Sequence, residues 1–234
     1  MTLNGFEPLN SIHLDSNFKL QNIDWSLYAI LDKEYAKERS LTRFAEEAIQ
    51  GGAGILQLRN KISATDEFYS DALKIKEVTE HFNIPLIIND RLDIALAAKA
   101  DGVHLGQDDL PLAEARKLLG DQMILGASVH NLEEFEIALK NNPDYLGVGM
   151  IYPSLSKTEL QSVGIKIVEQ LRRKTILPLI AIGGLTVENL EPAIRAGADG
   201  VAVISDLFTR QDVYGRAKEF VKKVKQVKDS LVVV

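Results

Sequence analysis

Eight short apolar segments, separated by stretches with helical periodicity, run through most of the chain. They are nearly unbroken runs of apolar, often β-branched residues, as strands are when both of their faces are buried. The predicted strands lie in Ser26–Leu31, Gly52–Lys61, Pro85–Asp90, Asp101–Gly106, Met123–Ser128, Asp144–Gly149, Leu179–Gly184 and Gly200–Ser205. Strands that alternate with helices indicate βαβ units and a parallel sheet.

The segments between the strands carry apolar residues at helical spacing. Predicted helices cover Ser40–Ile49, a longer stretch from about Thr65 to Phe82, Leu92–Lys99, Leu112–Leu119, Leu132–Lys140, Ile165–Arg173, Val187–Ala196 and a last helix through Ala217 and Val227. Several helix-to-strand turns look alike (Gly-Gly-Ala-Gly, Ala-Asp-Gly-Val, Pro-Asp-Tyr-Leu, Ala-Asp-Gly-Val), which indicates repeated units.

Eight βα units in 234 residues predict an α/β fold of the (β/α)8 or TIM-barrel type. We expect one catalytic domain over residues 25–234, preceded by an N-terminal arm or short helix at residues 1–24. The alternative is a doubly wound open sheet. No Gly-x-Gly-x-x-Gly follows the first strand, which weakens a dinucleotide-binding interpretation of such a sheet.

Charge and composition exclude several classes of function. The formal net charge of −6 argues against nucleic acid or a membrane surface as a partner. The chain contains no Cys, so disulfides, zinc–thiolate sites and a Cys nucleophile are excluded. We find no apolar run of membrane-spanning length and no secretory signal, and therefore expect a cytoplasmic protein. The oligomeric state stays open, with a homodimer as one alternative.

The second predicted strand ends with polar side chains at alternate positions, Gln57, Arg59 and Lys61. Alternate side chains of a strand share one face and lie about 7 Å apart. An inward row of one amide and two cations cannot pack as a core, but it suits a polyphosphate. The alternative is an edge strand with solvated charges.

Polar residues also follow the other strands, at the end where barrels of this type carry their active sites. Asn89 and Asp90 end the third strand, and Asp108 and Asp109 follow the fourth. Asp90 and Asp109 are the candidate ligands of Mg²⁺, which typically takes one or two protein carboxylates. Alternatively, Asp90 caps a helix or pairs with Arg91, and Asp108 is a surface carboxylate.

Glycines and amides at the last two strand ends predict a second anion site. Gly183-Gly184, with Thr186 as a cap of the next helix, and Ile204-Ser205 offer backbone N–H groups to a phosphate. The alternative for the glycines is a tight turn. His104 and His130 are interpreted as packing or hydrogen-bonding residues rather than general bases. Two anion sites suggest two phosphorylated substrates, or one substrate with two phosphate ends.

Six motifs in order carry a family resemblance. They are Gln57-Leu58-Arg59-Asn60-Lys61, Ile88-Asn89-Asp90-Arg91, His104-Leu105-Gly106-Gln107-Asp108-Asp109, Gly126-Ala127-Ser128, Ile151-Tyr152-Pro153 with Ser154-Leu155-Ser156-Lys157, and Ile182-Gly183-Gly184. From about Trp25 to Val227 the chain resembles the thiamine phosphate synthase (thiamin-phosphate pyrophosphorylase) family. The resemblance implies a transferase of thiamine biosynthesis that needs Mg²⁺. It would join hydroxymethylpyrimidine diphosphate to thiazole phosphate (4-methyl-5-(2-phosphooxyethyl)thiazole or its carboxylated form), giving thiamine phosphate and diphosphate.

The resemblance also implies roles for individual residues. The pyrimidine diphosphate would be held by Gln57, Arg59, Lys61, Asn89, Ser128 and Lys157, and the substrate-binding set would also include Leu58 and Asn60. The thiazole phosphate would be held by Ser154, Leu155, Ser156, Gly184, Ile204 and Ser205. Asp90 and Asp109 would bind Mg²⁺, and the catalytic set would be Arg59, Lys61, Ser128 and Lys157. Ser154 and Ser156 stand where the family commonly has Thr, which keeps the hydroxyl but loses a methyl group.

The implied chemistry needs no covalent nucleophile. Diphosphate leaves once Mg²⁺ and the cations neutralise its charge, and the thiazole nitrogen attacks the resulting pyrimidine cation. The loop from Tyr152 to Val163, which holds Lys157, is predicted to close over the site as a lid. The alternatives are a thiazole tautomerase relative, which has no diphosphate to ionise, a non-catalytic phosphate-ligand-binding barrel, and another phosphosugar isomerase or lyase barrel.

Overall fold

In the computed structural model the chain forms a closed barrel of eight parallel strands, ordered β1 to β8 around the ring. The structure describes residues 22–37, 39–153 and 163–232. The strands are β1 (Leu27–Asp32), β2 (Ile55–Arg59), β3 (Leu86–Asn89), β4 (Gly102–Leu105), β5 (Ile124–Val129), β6 (Tyr145–Gly149), β7 (Leu179–Ile182) and β8 (Gly200–Val203). Because β8 pairs with β1, the barrel prediction is confirmed and the open-sheet alternative is wrong.

Helices follow the strands on the outside of the barrel. They are α1 (Lys33–Ala36), α2 (Leu41–Gln50), α3 (Thr65–Phe82), α4 (Leu92–Ala97), α5 (Leu112–Leu119), α6 (Leu132–Leu139), α7 (Lys166–Arg172), α8 (Glu191–Arg195), α9 (Ser205–Phe208) and α10 (Val213–Val232). The apolar periodicity did not predict α1 and α9, since helices of four residues show no period. None of the helices in the described ranges is long and apolar enough to cross a membrane.

Alternation along the strands produces two apolar layers. Ile55 belongs to the cluster inside the barrel, whereas Leu56 and Leu58 belong to the larger cluster between strands and helices. Successive side chains of a strand point to opposite faces, so both faces of the sheet are buried. The inward positions near the carboxyl ends of the strands are therefore the ones that can reach a ligand.

Three equivalent aspartates, Asp101, Asp144 and Asp199, brace the amino-terminal end of the barrel, and we call them the base aspartates. The backbone N–H of Asp101 donates to the carbonyl of Leu86 (2.9 Å), and its Oδ2 accepts from the N–H of Leu86 (3.0 Å). The same oxygen pairs with Lys76 Nζ at 2.8 Å. This carboxylate therefore fastens β4 to β3 and to the helix before β3.

The other two base aspartates repeat these contacts. Their strand and helix partners are Leu125 and Arg116 for Asp144, and Leu179 and Arg172 for Asp199. Gly54 occupies the equivalent position before β2, and its N–H donates to the carbonyl of Leu27 (3.1 Å). The similar turns of the sequence are therefore equivalent in space, and the barrel is a series of paired βα units.

Candidate active site

The predicted row of cations lies at the mouth of the barrel. Gln57 is 3% exposed, and its Nε2 donates to the hydroxyl of Tyr28 at 2.8 Å. Arg59 lies further up the same strand and pairs with the buried carboxylate of Asp32. Lys61 follows the end of the strand, with its side chain 53% exposed. Because β2 pairs with both β1 and β3, the edge-strand alternative is wrong.

The two predicted metal ligands meet beside this row. Lys61 Nζ lies 2.7 Å from Asp90 Oδ2, and Asp109 Oδ2 accepts from the N–H of Gly106 at 2.7 Å. Burial, together with the neighbouring carboxylate of Asp90, raises the pKa of Asp109. The strands therefore bring Asp90 and Asp109 together as a pair of carboxylates.

Both alternatives for Asp90 are wrong, whereas the alternative that Asp108 is a surface carboxylate is confirmed. Arg91, not Asp90, precedes α4 as the cap residue, and the cap makes no side-chain hydrogen bond. The guanidinium of Arg91 pairs with Asp93 instead, at 2.5 Å. Asp108 is exposed, whereas Asp109 is half-buried and faces Asp90. The preference for Asp109 over Asp108 agrees with this arrangement.

The carboxylate pair has the chemistry of a magnesium site. Mg²⁺ binds through one or two carboxylates and takes its remaining ligands from water and phosphate oxygens. Within the described ranges no group of three His, Cys, Asp or Glu side chains is placed to hold a metal, so a closed cage of protein ligands is not formed there. Two neighbouring carboxylates, one with a raised pKa, fit a divalent cation whose charge would offset their repulsion.

The second predicted anion site lies after β7 and β8. Gly183 and Gly184 have φ angles of +100° and +61°, which residues with a side chain rarely adopt. A Cβ on Gly183 would overlap Met150, and one on Gly184 would overlap the backbone after β6. The alternative that the two glycines permit a tight turn is therefore correct. The same turn leaves backbone at the surface of a cleft that Ile204 and Ser205 also line.

The prediction that Thr186 caps a helix is wrong. The helix begins only at Glu191, and its cap makes no side-chain hydrogen bond. Instead, the N–H of Thr186 donates to Asn189 Oδ1 (2.7 Å), and Asn189 Nδ2 donates to the carbonyl of Gly184 (2.9 Å). Asn189, which the sequence analysis did not single out, therefore closes the glycine turn.

Three adjoining clefts open at the mouth. The cation compartment, of about 1040 Å³, is lined by Arg59, Lys61, Asn89, Asp90 and Asp109. The barrel floor, of about 470 Å³, is lined by Tyr28, Gln57, Asn89, His104 and Tyr145. The glycine compartment, of about 650 Å³, is lined by Gly183, Gly184, Ile204 and Ser205. Ser128 lines all three, so the three clefts meet at this residue.

Some predicted ligand residues lie elsewhere. The side chain of Leu58 is fully buried in the outer layer, so only its backbone could face a ligand. Asn60 is 8% exposed, and its Oδ1 accepts from the N–H groups of Ile62 and Ser63, which shapes the turn after β2. The predicted residues Ser154, Leu155, Ser156 and Lys157 lie outside the described residues, as does most of the predicted lid.

The histidines make the hydrogen bonds expected of them. His104 lies between Tyr145 and Ser128, 2.9 Å from each hydroxyl. His130 Nδ1 lies 2.7 Å from Glu134 Oε2. Tyr145 was not among the predicted site residues, since a tyrosine in an apolar strand resembles a core residue. Its inward position in β6 is the signal that could have identified it.

The closed barrel, with a cation-lined and a glycine-lined cleft at the carboxyl ends of its strands, has the architecture of TIM-barrel enzymes. A family model described as Thiamine monophosphate synthase matches residues 27–207. The chain belongs to this family, and it is a transferase of thiamine biosynthesis, as the resemblance implied.

Individual relatives agree with the family assignment. A thiamine-phosphate synthase of Clostridium acetobutylicum is 44% identical over 207 residues, which cover 88% of this chain and 98% of the relative. One of Clostridium tetani is 42% identical over 199 residues, covering 85% and 95%. The solved thiamine phosphate pyrophosphorylase of Pyrococcus furiosus superposes with a TM-score of 0.80 at 33% identity, covering 87% of this chain and 97% of that one.

Proposed function

We propose that the site joins hydroxymethylpyrimidine diphosphate to thiazole phosphate and releases diphosphate. The position of Ser128 at the junction of all three clefts is the observation that carries the proposal. A diphosphate in the cation compartment, a pyrimidine ring on the barrel floor and a phosphate in the glycine compartment would converge there. Holding both reactants at one point makes an intermolecular reaction effectively intramolecular.

The cation compartment would hold the diphosphate. Arg59 and Lys61 present the charge, and Asn89 lines the compartment and the floor alike. Asp90 and Asp109 would hold Mg²⁺, which when bound would neutralise the departing diphosphate. The pairing of Arg59 with Asp32 fixes the direction of the guanidinium before a substrate arrives. By resemblance, Lys157 would complete this set.

The glycine compartment would hold the thiazole phosphate. Its anion-binding groups are backbone N–H groups of Gly184, Ile204 and Ser205, which carry no net charge. A neutral site of this kind would accept a phosphate monoester without competing for the diphosphate. By resemblance, Ser154, Leu155 and Ser156 would contribute from the loop after β6.

The reaction then follows from charge and position. The C–O bond to the diphosphate breaks, and its electron pair leaves with the diphosphate. The positive charge left on the exocyclic carbon spreads over the pyrimidine ring, and the thiazole nitrogen forms the new C–N bond. Preorganised donors around the departing oxygens would lower the barrier, and the buried floor would keep water from the cation. Arg59, Lys61, Ser128 and Lys157 are the proposed catalytic residues.

The site favours this reaction over the alternatives. A thiazole tautomerase relative or a non-catalytic barrel has no diphosphate to release, and so has no need for both a cation row and a pair of acids. The meeting of Lys61 with Asp90 beside Asp109 supports the transferase. The sequence offers no clear Glu or Lys candidate for the base that an isomerase or lyase would need. The cytoplasmic location, the absence of nucleic-acid and membrane partners, and the oligomeric state stay predictions from the sequence.

The test is a two-substrate assay for thiamine phosphate and diphosphate, with and without Mg²⁺. Lys61→Met should weaken binding of the pyrimidine diphosphate about tenfold or more, because it removes one charge-assisted contact. Binding of thiazole phosphate, measured separately by calorimetry, should stay unchanged. Lys117→Met, at a side chain that is 69% exposed, is the matched control. Equal losses for both substrates would show that the two compartments are wrongly assigned.

A further inference from the structure

Five polar side chains form an unbroken hydrogen-bonded chain across the barrel beneath the site, and we call it the barrel relay. Gln57 Nε2 donates to the hydroxyl of Tyr28 at 2.8 Å, and that hydroxyl lies 2.7 Å from the hydroxyl of Tyr145. Tyr145 lies 2.9 Å from His104 Nδ1, and His104 Nε2 lies 2.9 Å from Ser128 Oγ. The two ends of the relay, Gln57 and Ser128, both line the barrel floor.

The surrounding barrel leaves space for the relay. A Cβ at Gly126 would overlap both the phenol of Tyr145 and the imidazole of His104. A Cβ at Gly147 would lie 3.0 Å from His104 Cε1. Glycines on β5 and β6 thus make room for side chains that an apolar interior would not need. A buried polar chain of this kind is costly unless each member has a partner.

The relay has a direction. Burial raises the pKa of both Tyr28 and Tyr145, so each phenol keeps one proton to donate. Either phenol could donate to the other. With the Gln57 amide nitrogen as donor, as the structure has it, every proton of the relay finds an acceptor when Tyr28 donates to Tyr145 and Tyr145 donates to His104 Nδ1, so we infer this direction. With Nδ1 as the acceptor, the N–H of the imidazole lies on Nε2 and is donated to Ser128 Oγ.

This direction decides what the relay presents to a ligand. The amide nitrogen of Gln57 is engaged with the relay, and among the described residues its Oε1 accepts no hydrogen bond. The oxygen of Ser128 already accepts from His104, so its own proton is available to donate. One side of the floor therefore offers an acceptor and the other offers a donor.

We propose that Tyr28, Tyr145 and His104 are positioning residues that make the site specific for an aminopyrimidine ring. The inference rests on the proposed function and deepens it. Gln57 Oε1 accepts from the exocyclic amino group, and the hydroxyl of Ser128 donates to a ring nitrogen. An analogue with an oxo group in place of the amino group places an acceptor against the acceptor of Gln57. A buried mismatch of this kind costs affinity.

The experiment compares two ligands and three variants. Hydroxymethylpyrimidine diphosphate and its 4-oxo counterpart are titrated by calorimetry in Mg²⁺ without thiazole phosphate. The wild type should bind the amino ligand at least tenfold more tightly than the oxo ligand. Tyr145→Phe and Tyr28→Phe each interrupt the relay and free the end groups to rotate, so this ratio should fall towards one. Tyr69→Phe, at a partly exposed position on α3, is the matched control and should keep the wild-type ratio.

The outcomes separate the relay from the proposed function. A wild type that makes no thiamine phosphate would overturn the proposed function. An active wild type that prefers the oxo ligand, or relay variants that lose affinity for both ligands equally, would overturn the relay. Thiazole phosphate affinity should stay unchanged in all three variants, because that ligand occupies the glycine compartment. If Tyr145→Phe fails to fold, Tyr28→Phe alone decides the question.

Discussion

Asp109→Asn separates the metal-binding role of the carboxylate pair from its role in the fold. Asparagine keeps the shape and can still accept from the N–H of Gly106, so the loop should keep its form. In the wild type the raised pKa means that folding disfavours the ionised Asp109. This penalty is fully present above the folded-state pKa and disappears as the pH falls below the unfolded value of 3.8. At neutral pH without Mg²⁺ the variant should therefore be at least as stable as the wild type.

With ligands bound, the order of stability should reverse, so that the wild type is more stable than Asp109→Asn. Mg²⁺ plus inorganic diphosphate at a hundred times its dissociation constant stabilises the folded wild type by about 2.7 kcal/mol. For a chain of this length that corresponds to a rise in Tm of about 5–11 °C. If loss of one carboxylate weakens binding about a hundredfold, the variant retains about 0.4 kcal/mol at the same concentrations, or roughly 1 °C.

Thermal unfolding with and without the two ligands measures both effects, and turnover is measured on the same samples. Asp108→Asn makes the same change of charge one position earlier, on an exposed side chain, and serves as the matched control. It should behave as the wild type in every condition. A full ligand-induced rise in Tm for Asp109→Asn, or an equal loss for both variants, would refute the assignment of Asp109 to the metal.

Three further predictions concern the site and the fold. Asp90→Ala should raise the activation barrier by about several kcal/mol and so remove most of the turnover, while the circular dichroism spectrum stays that of the folded barrel. Near-normal turnover at limiting Mg²⁺ would contradict this. Asp144→Ala should lower the free energy of unfolding, measured in urea, by about 2–3 kcal/mol, since the buried N–H of Leu125 loses its acceptor. Asp144→Asn should lower it less. Equal losses for the two variants would argue against the hydrogen bond from Leu125 as the cause. Arg216 holds the pKa of Glu188 at about 2, so this carboxylate stabilises the fold above pH 4.5 and the contribution is lost as the pH falls towards 2. Glu188→Gln should therefore flatten the loss of stability in that range, whereas Glu133→Gln on an exposed helix surface should not.

The strands could be predicted because each one is a run of apolar residues, and their number and alternation with helices favour a barrel. Only the pairing of β8 with β1 excludes an open sheet. The same periodicity could not indicate α1 and α9, which have only four residues each. It also placed the start of α8 too early, because Asn189 closes the preceding turn through side-chain bonds that no apolar period reveals.

The site was predicted to the extent that it depends on the ends of neighbouring strands. Asp90 and Asp109 meet because β3 and β4 are adjacent. Contacts between distant parts of the chain could not be predicted in this way. Tyr28 and Tyr145 are 117 residues apart, and nothing in either strand indicates that their hydroxyls meet. Leu58 shows a second limit, since a motif of consecutive residues does not distinguish the alternate side chains that face away from the ligand. The side chain of Leu58 lies in the outer layer, and only its backbone could contribute to the site.

The base aspartates also determine where the barrel can be altered. Each one, Asp101, Asp144 or Asp199, closes a unit made of two helices and the two strands that follow them. The joints between these units are the connections that begin at the carboxyl ends of β4 and β6. Insertion, deletion or exchange of sequence at those joints cuts none of the three braces. Evolution or design can therefore reshape these two loops around new ligands while the opposite end of the barrel stays fastened.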